Sequence, residues 1–334
     1  MAVMKDVAKL AGVSISTVSF VLNGMAEERK VAPETAKRVM RAARDLGYQV
    51  NLPNVQRQRQ LSIALFFPAD SVMVDMGIIT SGINAHMKKY GRQYNVLLCL
   101  YERGNLSGRI RQLSPSEYHA AVIMAEADTD LEEFEQLPSN LPLVLFNGAS
   151  ARFCSVSCEL LPSMEKAVRI VSAKGYRRIL VIAGTDGKKQ KDSTLKQLFQ
   201  SFGSFGFDLT DKNYFFTENT LQGGAIAARH MLNMREKPEL VITLNTTLAF
   251  GAIPLLARNR FIFTRDAELL SFGGVEDTLH VANYIPSLSL IAVPTEEIAM
   301  ECFSIALQLA EGSLSGPLHY TCPSSLLLNE SFTI

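Results

Sequence analysis

The 334-residue sequence has few cysteines, no excess of either charge and no long apolar run. Five cysteines are odd in number and few for this length, and four of them stand in apolar stretches, which predicts reduced and mostly buried thiols. No apolar run approaches the ~18 to 20 residues of a membrane helix. Residues 1–14 carry charges where a signal peptide has its apolar block. We therefore exclude a small disulfide-stabilised scaffold and a membrane protein, and expect a cytoplasmic protein with a large core.

Charge is distributed unevenly, although the chain has 33 basic and 33 acidic side chains. Residues 1–60 hold ten Lys/Arg and five Asp/Glu, so this segment has a net charge of +5 and the remainder −5. A basic end on a neutral chain is typical of a phosphate-binding module fused to a regulatory or catalytic body. On charge alone, an ordinary solvated helical surface explains the excess equally well.

The apolar spacing of residues 4–46 predicts three short helices. Between the first two, Gly12 allows a tight turn and Ser14 can cap the next helix, which is the pattern of a helix-turn-helix. The third helix is predicted to begin near Pro33 and to end before Gly47. Residues 51–60 are polar, have no apolar period and predict a linker that can order on binding.

From Leu61 onward, apolar strand runs alternate with helix-length segments. The predicted strands are 62–67, 96–100, 120–125, 143–146, 179–183, 214–216, 240–244, 269–272 and 288–292, and the predicted helices are 78–90, 164–173, 193–202, 223–234, 247–259 and 296–310. This alternation predicts parallel sheets covered by helices. Because the segment is long for one sheet, we expect two doubly wound parallel-sheet subdomains with a ligand cleft between them, and hence an α/β fold class.

Motifs in residues 1–48 closely resemble the head of the LacI/GalR family of bacterial transcriptional regulators. They are Lys5-Asp6-Val7-Ala8-Lys9-Leu10-Ala11-Gly12-Val13-Ser14, Thr17-Val18-Ser19, Val21-Leu22-Asn23-Gly24, Glu34-Thr35 and Leu46-Gly47-Tyr48. Weaker matches continue at Pro68, Gly82, 175–179, Asn245, 286–289 and 328–331. The resemblance covers essentially the whole chain. It implies a helix-turn-helix headpiece, a hinge and a core similar to periplasmic sugar-binding proteins.

The same resemblance implies a domain division and a function. The headpiece is expected at 1–48, the hinge at 49–60 and the core at 61–334, with subdomain one at about 61–156 and 290–315 and subdomain two at about 157–289 and 316–334. We expect a sequence-specific DNA-binding regulator, a repressor that binds a palindromic operator as a homodimer. A cytoplasmic small-molecule-binding or enzymatic protein with a fused nucleic-acid-binding head is the alternative. No glycine-rich dinucleotide turn supports the enzyme, so we predict neither catalytic residues nor a cofactor.

DNA contacts are carried over from the family position by position. Base-facing residues are expected at Ile15, Ser16 and Phe20, and backbone contacts or their support at Ser14, Thr17, Ser19 and Asn23. The alternative for all of them is plain helix surface and capping. The family usually has an arginine where this chain has Phe20; because phenylalanine has no donor for guanine, we expect a different operator and a readout poor in hydrogen bonds.

The hinge and the effector pocket depart from the family pattern. Arg57 stands near the position of the leucine that wedges into the minor groove, so Asn51, Arg57 and Arg59 are candidates for that groove, and a disordered tether is the equal alternative. In the pocket, the family's sugar-binding side chains are mostly replaced; the candidate positions are Met73, Asp75, Met76, Lys188, Thr194, Asn245, Thr246 and Gly273. A standard sugar effector is therefore not expected. A less polar ligand, an anion bound by the lysines near Lys188, and a response that has been lost stay open.

Two remaining patterns have structural explanations. Cys154 and Cys158 have the period of one strand face and lack a second ligand pair, so we predict no metal site. His119 precedes a predicted strand, where a pH-sensitive role and a structural role are both open, the structural one being favoured.

Overall fold

The computed structural model describes residues 3–22, 26, 29–46, 61–69, 73–112, 118–125, 128–138, 140–185, 193–275, 282 and 285–334. The chain divides into two compact units, residues 1–60 and residues 61–334. In the described ranges, no helix has the length and apolar character needed to span a membrane.

The described residues of the first unit form three helices, as the apolar spacing predicts: α1 (Met4–Ala11), α2 (Ile15–Leu22) and α3 (Pro33–Asp45). Each contributes its apolar face to one small core, which consists of Val7, Ala8, Ala11, Val18, Val21, Leu22, Val39, Ala42 and Ala43. Eight-residue helices such as α1 and α2 are marginal in isolation. This shared core is what stabilises them.

The turn between α1 and α2 has the predicted chemistry. Gly12 has a φ of 66°, a left-handed conformation that L side chains rarely adopt, and it ends α1. The Ser14 Oγ accepts a 3.1 Å hydrogen bond from the Thr17 amide and so caps the first turn of α2. Such a cap contributes on the order of 1 kcal/mol to helix stability. The orientation of α2 is therefore fixed by two local features of the sequence.

The described residues of the second unit form two six-stranded sheets. The strands are β1 (Ser62–Pro68), β2 (Asn95–Tyr101), β3 (Ala120–Met124), β4 (Leu143–Phe146), β5 (Cys154–Glu159), β6 (Ile179–Thr185), β7 (Tyr214–Glu218), β8 (Leu240–Thr243), β9 (Glu268–Gly274), β10 (Ser289–Val293), β11 (His319–Pro323) and β12 (Ser325–Leu327). The first sheet has the order β11-β5-β4-β3-β1-β2 and the second β12-β10-β9-β8-β6-β7. All neighbours are parallel except β10 and β12, which are antiparallel.

Helices cover both faces of each sheet, which confirms the doubly wound fold class. They are α4 (Met73–Tyr90), α5 (Leu106–Gln112), α6 (Asp128–Glu135), α7 (Leu161–Ala173), α8 (Ser193–Ser204), α9 (Leu221–Asn233), α10 (Thr246–Arg258) and α11 (Thr295–Glu311). On the first sheet, α4 and α11 pack on one face and α5 and α6 on the other. On the second, α9 and α10 pack opposite α7 and α8.

The chain crosses between the two sheets at residues that differ from the expected ones. We expected 290–315 in the first subdomain and 316–334 in the second, whereas β10 pairs with β9 in the second sheet and β11 pairs with β5 in the first. The crossings follow β5, β10 and β11. Strand β10 is buried on both faces, and such a strand suits an interior position in either sheet. Its apolar pattern therefore does not show to which of the two sheets it belongs.

Candidate nucleic-acid interface and effector region

Helix α2 has an apolar inner face and an outer face without charge. Val18, Val21 and Leu22 are buried, and no acidic or basic residue occurs in the helix. On the outer side, Ile15 is 48% exposed, Ser16 is exposed and Phe20 is half-buried. Ser16 and Phe20 are four residues apart and therefore lie on the same helical face. This is the set predicted to face bases, and the structure leaves its members at least partly accessible.

Hydroxyl groups cluster at the N-terminal end of α2. The Ser14 Oγ lies 2.8 Å from the Ser16 Oγ and 2.8 Å from the Thr17 Oγ1. A helix N-terminus carries partial positive charge and unpaired amides, which suits a phosphate oxygen. Ser19, farther along the helix, is half-buried. Of the predicted DNA-backbone contacts, Asn23 lies outside the described residues, as do Asn51, Arg57 and Arg59 of the hinge.

Arg29 is a residue near α2 that the sequence pattern did not single out. It lies in the segment between α2 and α3, is exposed, and its guanidinium carbon is 5.4 Å from the centre of the Phe20 ring. This distance is within the range of a cation–π contact. Because Arg29 lies in a turn and not in a helix, no helical period predicts its direction. Only its positive charge could have identified it as a candidate DNA contact.

In the second unit, several predicted effector positions follow the carboxyl ends of parallel strands. Thr194 is in the first turn of α8, which follows β6, and Gly273 lies near the end of β9. Met76 lies in α4, which follows β1, and packs partly against the core of the first sheet. Ligands of doubly wound folds bind at this end of the strands. The side chains of Met73 and Asp75, and the whole of Lys188, lie outside the described residues.

Asn245 and Thr246 begin α10, after β8. The Asn245 Oδ1 accepts a 2.9 Å hydrogen bond from the Leu248 amide, and its Nδ2 donates to the Asn219 Oδ1. Thr246 is buried. The Asn245 amide is therefore engaged in capping α10 and in joining it to the end of β7. These contacts give Asn245 a structural role, and its effector role stays a prediction.

A groove of about 380 Å³ lies beside the crossing from β10 to α11. Its lining, among the residues that the structure describes, is Val275, Pro294, Glu296, Glu297 and Met300. This set differs from the effector positions predicted from the sequence. The surface that lines the groove is mostly apolar.

The remaining candidates are explained by packing and hydrogen bonding. The Nδ1 of His119 accepts a 3.1 Å hydrogen bond from the Ser62 amide, which gives this histidine a structural role. The five cysteines, all of them among the described residues, form no disulfide, and burial raises the pKa of Cys158 and Cys322 to about 12, so both thiols are neutral. Within the described ranges, no group of three or more histidine, cysteine or acidic side chains is arranged to hold a metal ion.

Comparison with known proteins connects both units to one family. Residues 3–51 match the family described as "Bacterial regulatory proteins, lacI family", and residues 168–330 match the "Periplasmic binding protein-like domain". The chain belongs to the lacI family. As a lacI-family protein it is a transcriptional regulator with a helix-turn-helix DNA-binding domain.

Relatives of this lacI-family chain are named as repressors. The "Probable HTH-type transcriptional repressor ExuR" of Bacillus subtilis (strain 168) is 25% identical over 311 residues, which cover 90% of this chain and 89% of that protein. The "HTH-type transcriptional repressor CytR" of Escherichia coli (strain K12) is 26% identical over 325 residues, 94% of this chain and 92% of that protein. These relatives are regulators and not enzymes.

A solved structure of the Lac repressor dimer bound to operator and the anti-inducer ONPF has the same fold. Its TM-score is 0.72 at 19% identity, and the match covers 99% of this chain and 98% of that one. At this identity the likeness establishes the architecture of the lacI-family chain, a helix-turn-helix unit and two parallel-sheet α/β subdomains, and not its ligands.

Proposed function

We propose that this lacI-family chain is a homodimeric repressor, and not an enzyme, that binds a palindromic operator through α2. Ile15, Ser16 and Phe20 face the bases, because they form the accessible side of the helix that follows the turn. The hydroxyl cluster around Ser14 and Thr17, with Ser19 and Asn23, contacts or supports contact with phosphates. The observation that carries this proposal is the uncharged, accessible outer face of α2 beside a capped N-terminus.

The basic character of the first unit supports phosphate binding. Within the described helices, Lys37 and Arg41 pair with Glu34 at 3.2 Å and Asp45 at 4.0 Å, and all four side chains are largely exposed. Exposed pairs of this kind contribute little to stability and exchange readily with other partners. The remaining positive charge of residues 1–60 is therefore available to neutralise DNA phosphates. In this proposal residues 1–48 form the head and residues 49–60 the hinge, where Arg57 and Arg59 approach the minor groove.

Homodimerisation is proposed for two reasons. A single head reads only a few base pairs, and a twofold dimer reads a palindrome with much higher affinity. The first sheet also ends in a strand with unusually exposed leucines: Leu98 and Leu100 on β2 are each 50% exposed. Apolar side chains on a sheet edge are costly in a monomer and favour a protein interface. The solved Lac repressor complex is itself described as a dimer bound to operator.

The effector response is proposed to be altered or lost. A sugar needs several convergent polar groups, and here the Asn245 amide is engaged in capping α10, while Thr246 is buried. The lining of the groove beside Pro294 is mostly apolar, which suits a less polar ligand better than an anion. The repressor is proposed to act in the cytoplasm, where its DNA is.

Capture of genomic fragments by the purified full-length protein tests the DNA-binding function. We expect a palindromic footprint whose affinity falls steeply between two salt concentrations, because phosphate contacts release counterions. A chain without residues 1–60 is the matched control and should give no footprint. A full-length protein that selects no sequence, or a footprint that survives removal of residues 1–60, would contradict the proposal.

A further inference from the structure

The pair formed by Phe20 and Arg29 stands beside the DNA-facing side of α2. The Arg29 guanidinium lies over the Phe20 ring, with its carbon 5.4 Å from the ring centre. Phe20 is half-buried and Arg29 is exposed. One partner thus belongs to the packed helix, and the other reaches outward from the turn.

The turn that carries Arg29 is anchored at both ends. The Val31 amide donates a 2.8 Å hydrogen bond to the Ala26 carbonyl, and both residues pack against the core of the first unit. Lys30, which follows Arg29, has a φ of 54°. A non-glycine residue in this left-handed region marks a defined turn, and not an extended strand. The backbone that follows Arg29 is therefore held against the core of the first unit at Val31, which supports a defined contact between Arg29 and Phe20.

A guanidinium that lies over an aromatic ring keeps its donors free. In a cation–π contact the ring interacts with the positive charge of the guanidinium, so N–H groups remain that can donate to another partner. Five donors in a planar fork match the O6 and N7 acceptors of guanine in the major groove. Helix α2 has no basic residue of its own to supply this match.

We propose that Phe20 and Arg29 act as one recognition unit in which Arg29 reads a guanine and Phe20 is the positioning residue. The ring orients the guanidinium on the outer side of α2, and the turn supplies the donor that the helix lacks. This inference rests on the proposed function and deepens it. It replaces an expectation from the sequence, since the readout at this position then contains hydrogen bonds although Phe20 makes none.

The test measures the dissociation constant of the full-length protein for its selected operator and for each single base-pair change within one half-site. Arg29→Ala should weaken binding to the selected operator roughly 5- to 150-fold and remove the preference for guanine at one base pair. Arg29→Lys keeps the positive charge but removes the planar guanidinium with its paired donors. This variant should therefore keep part of the affinity and lose the same preference for guanine. Because Arg29 is exposed, neither substitution threatens the fold.

Phe20 is tested by two variants, one that keeps the aromatic ring and one that removes it. Phe20→Tyr keeps the ring and should keep the guanine preference, whereas Phe20→Leu keeps an apolar side chain and should lose it. If the two residues act together, Phe20→Leu combined with Arg29→Ala should be no weaker than Arg29→Ala alone. Arg41→Ala, an exposed arginine on α3, is the control, and any loss it causes should be uniform across the base-pair changes.

The outcomes separate the two proposals. A full-length protein that selects no sequence overturns the proposed function and this inference with it. A protein that selects an operator but keeps its guanine preference in Arg29→Ala, or loses affinity equally for all sequences, overturns the inference alone. Additive losses for Phe20→Leu and Arg29→Ala would show that the two residues act separately, which also overturns it.

Discussion

His86 is a buried side chain on α4 whose charge is set by its surroundings. Its Nδ1 lies 3.2 Å from the Tyr94 hydroxyl, and its ring centre is 4.6 Å from that of Tyr90. Burial lowers the pKa of His86, and the positive charges of Arg92 and Lys89 lower it further. The histidine is therefore neutral in the folded protein at neutral pH, and protonating it opposes folding.

Acidification should reduce stability through His86. Its folded pKa is below its unfolded value of about 6.5, so the unfolded state binds the proton first and stability is lost as pH falls below 6.5. Between pH 6.5 and 5.5 one such group lowers the free energy of unfolding by at most about 1.4 kcal/mol per pH unit. We expect a shallower slope for His86→Gln than for the wild type in urea unfolding across this range. Parallel slopes between pH 7.5 and 8.5 are the control, and equal slopes below pH 6.5 would contradict the prediction.

Single residues differ in how far the sequence predicts their roles. Ser14 and Gly12 could be assigned because a cap and a tight turn involve neighbours only a few residues away. Asn245 also caps its helix locally, but its contact with Asn219 joins two strand ends and needs the fold. The contact of Arg29 with Phe20 was likewise beyond prediction, because the turn between them has no period that fixes its direction.

Helices α9 and α10 approach each other so closely that glycine is required at two positions. A methyl group on Gly251 would lie 2.0 Å from the Leu221 carbonyl oxygen, and one on Gly224 would lie 2.2 Å from the Leu248 carbonyl oxygen. Both distances join a side-chain position to backbone, which cannot rotate away. The two glycines therefore set the spacing of the helix pair that covers one face of the second sheet.

Substitution of either glycine should force the two helices apart. Gly251→Ala is expected to lower the free energy of unfolding by about 1 to 3 kcal/mol, as overpacking of a core does. Gly203→Ala on α8 is the matched control, because a methyl group there meets nothing within 4 Å, and it should raise stability by about 0.5 to 1 kcal/mol through helix propensity. Urea unfolding of the three proteins measures both effects. A similar change in the two variants would show that the close approach has no energetic consequence.

Secondary-structure elements were predictable where their apolar pattern is strong. All nine predicted strands and all six predicted helices of the second unit occur, with ends shifted by a few residues. The period of Cys154 and Cys158 indicated a strand face where β5 lies, but the sequence did not predict β11, β12, α5 or α6. Strand β11 is largely exposed on a sheet edge, and α5 is a seven-residue helix with a glycine inside it, so neither carries a periodic apolar signal.

At the scale of the whole molecule, the exposed leucines on the β2 edge of the first sheet predict that the chain forms a homodimer. Leu98→Glu on β2 places a charge on the exposed apolar edge and is expected to convert the protein to a monomer, which sedimentation measures. Affinity for a palindromic operator should fall with it, because the two heads then bind independently. Leu161→Glu, at another exposed leucine, is the control and should stay dimeric. A Leu98→Glu protein that remains a dimer would place the interface elsewhere.

The division of strands between the two sheets also affects how the chain folds during its synthesis. Residues 319–327 supply β11 to an edge of the first sheet and β12 to an edge of the second. On the ribosome, β5 and β10 therefore keep open edges until this segment emerges, and open edges invite pairing with other chains. Residues 1–60 emerge first and form a separate compact unit. The DNA-binding head can thus be folded while both sheets of the core still have an unpaired edge.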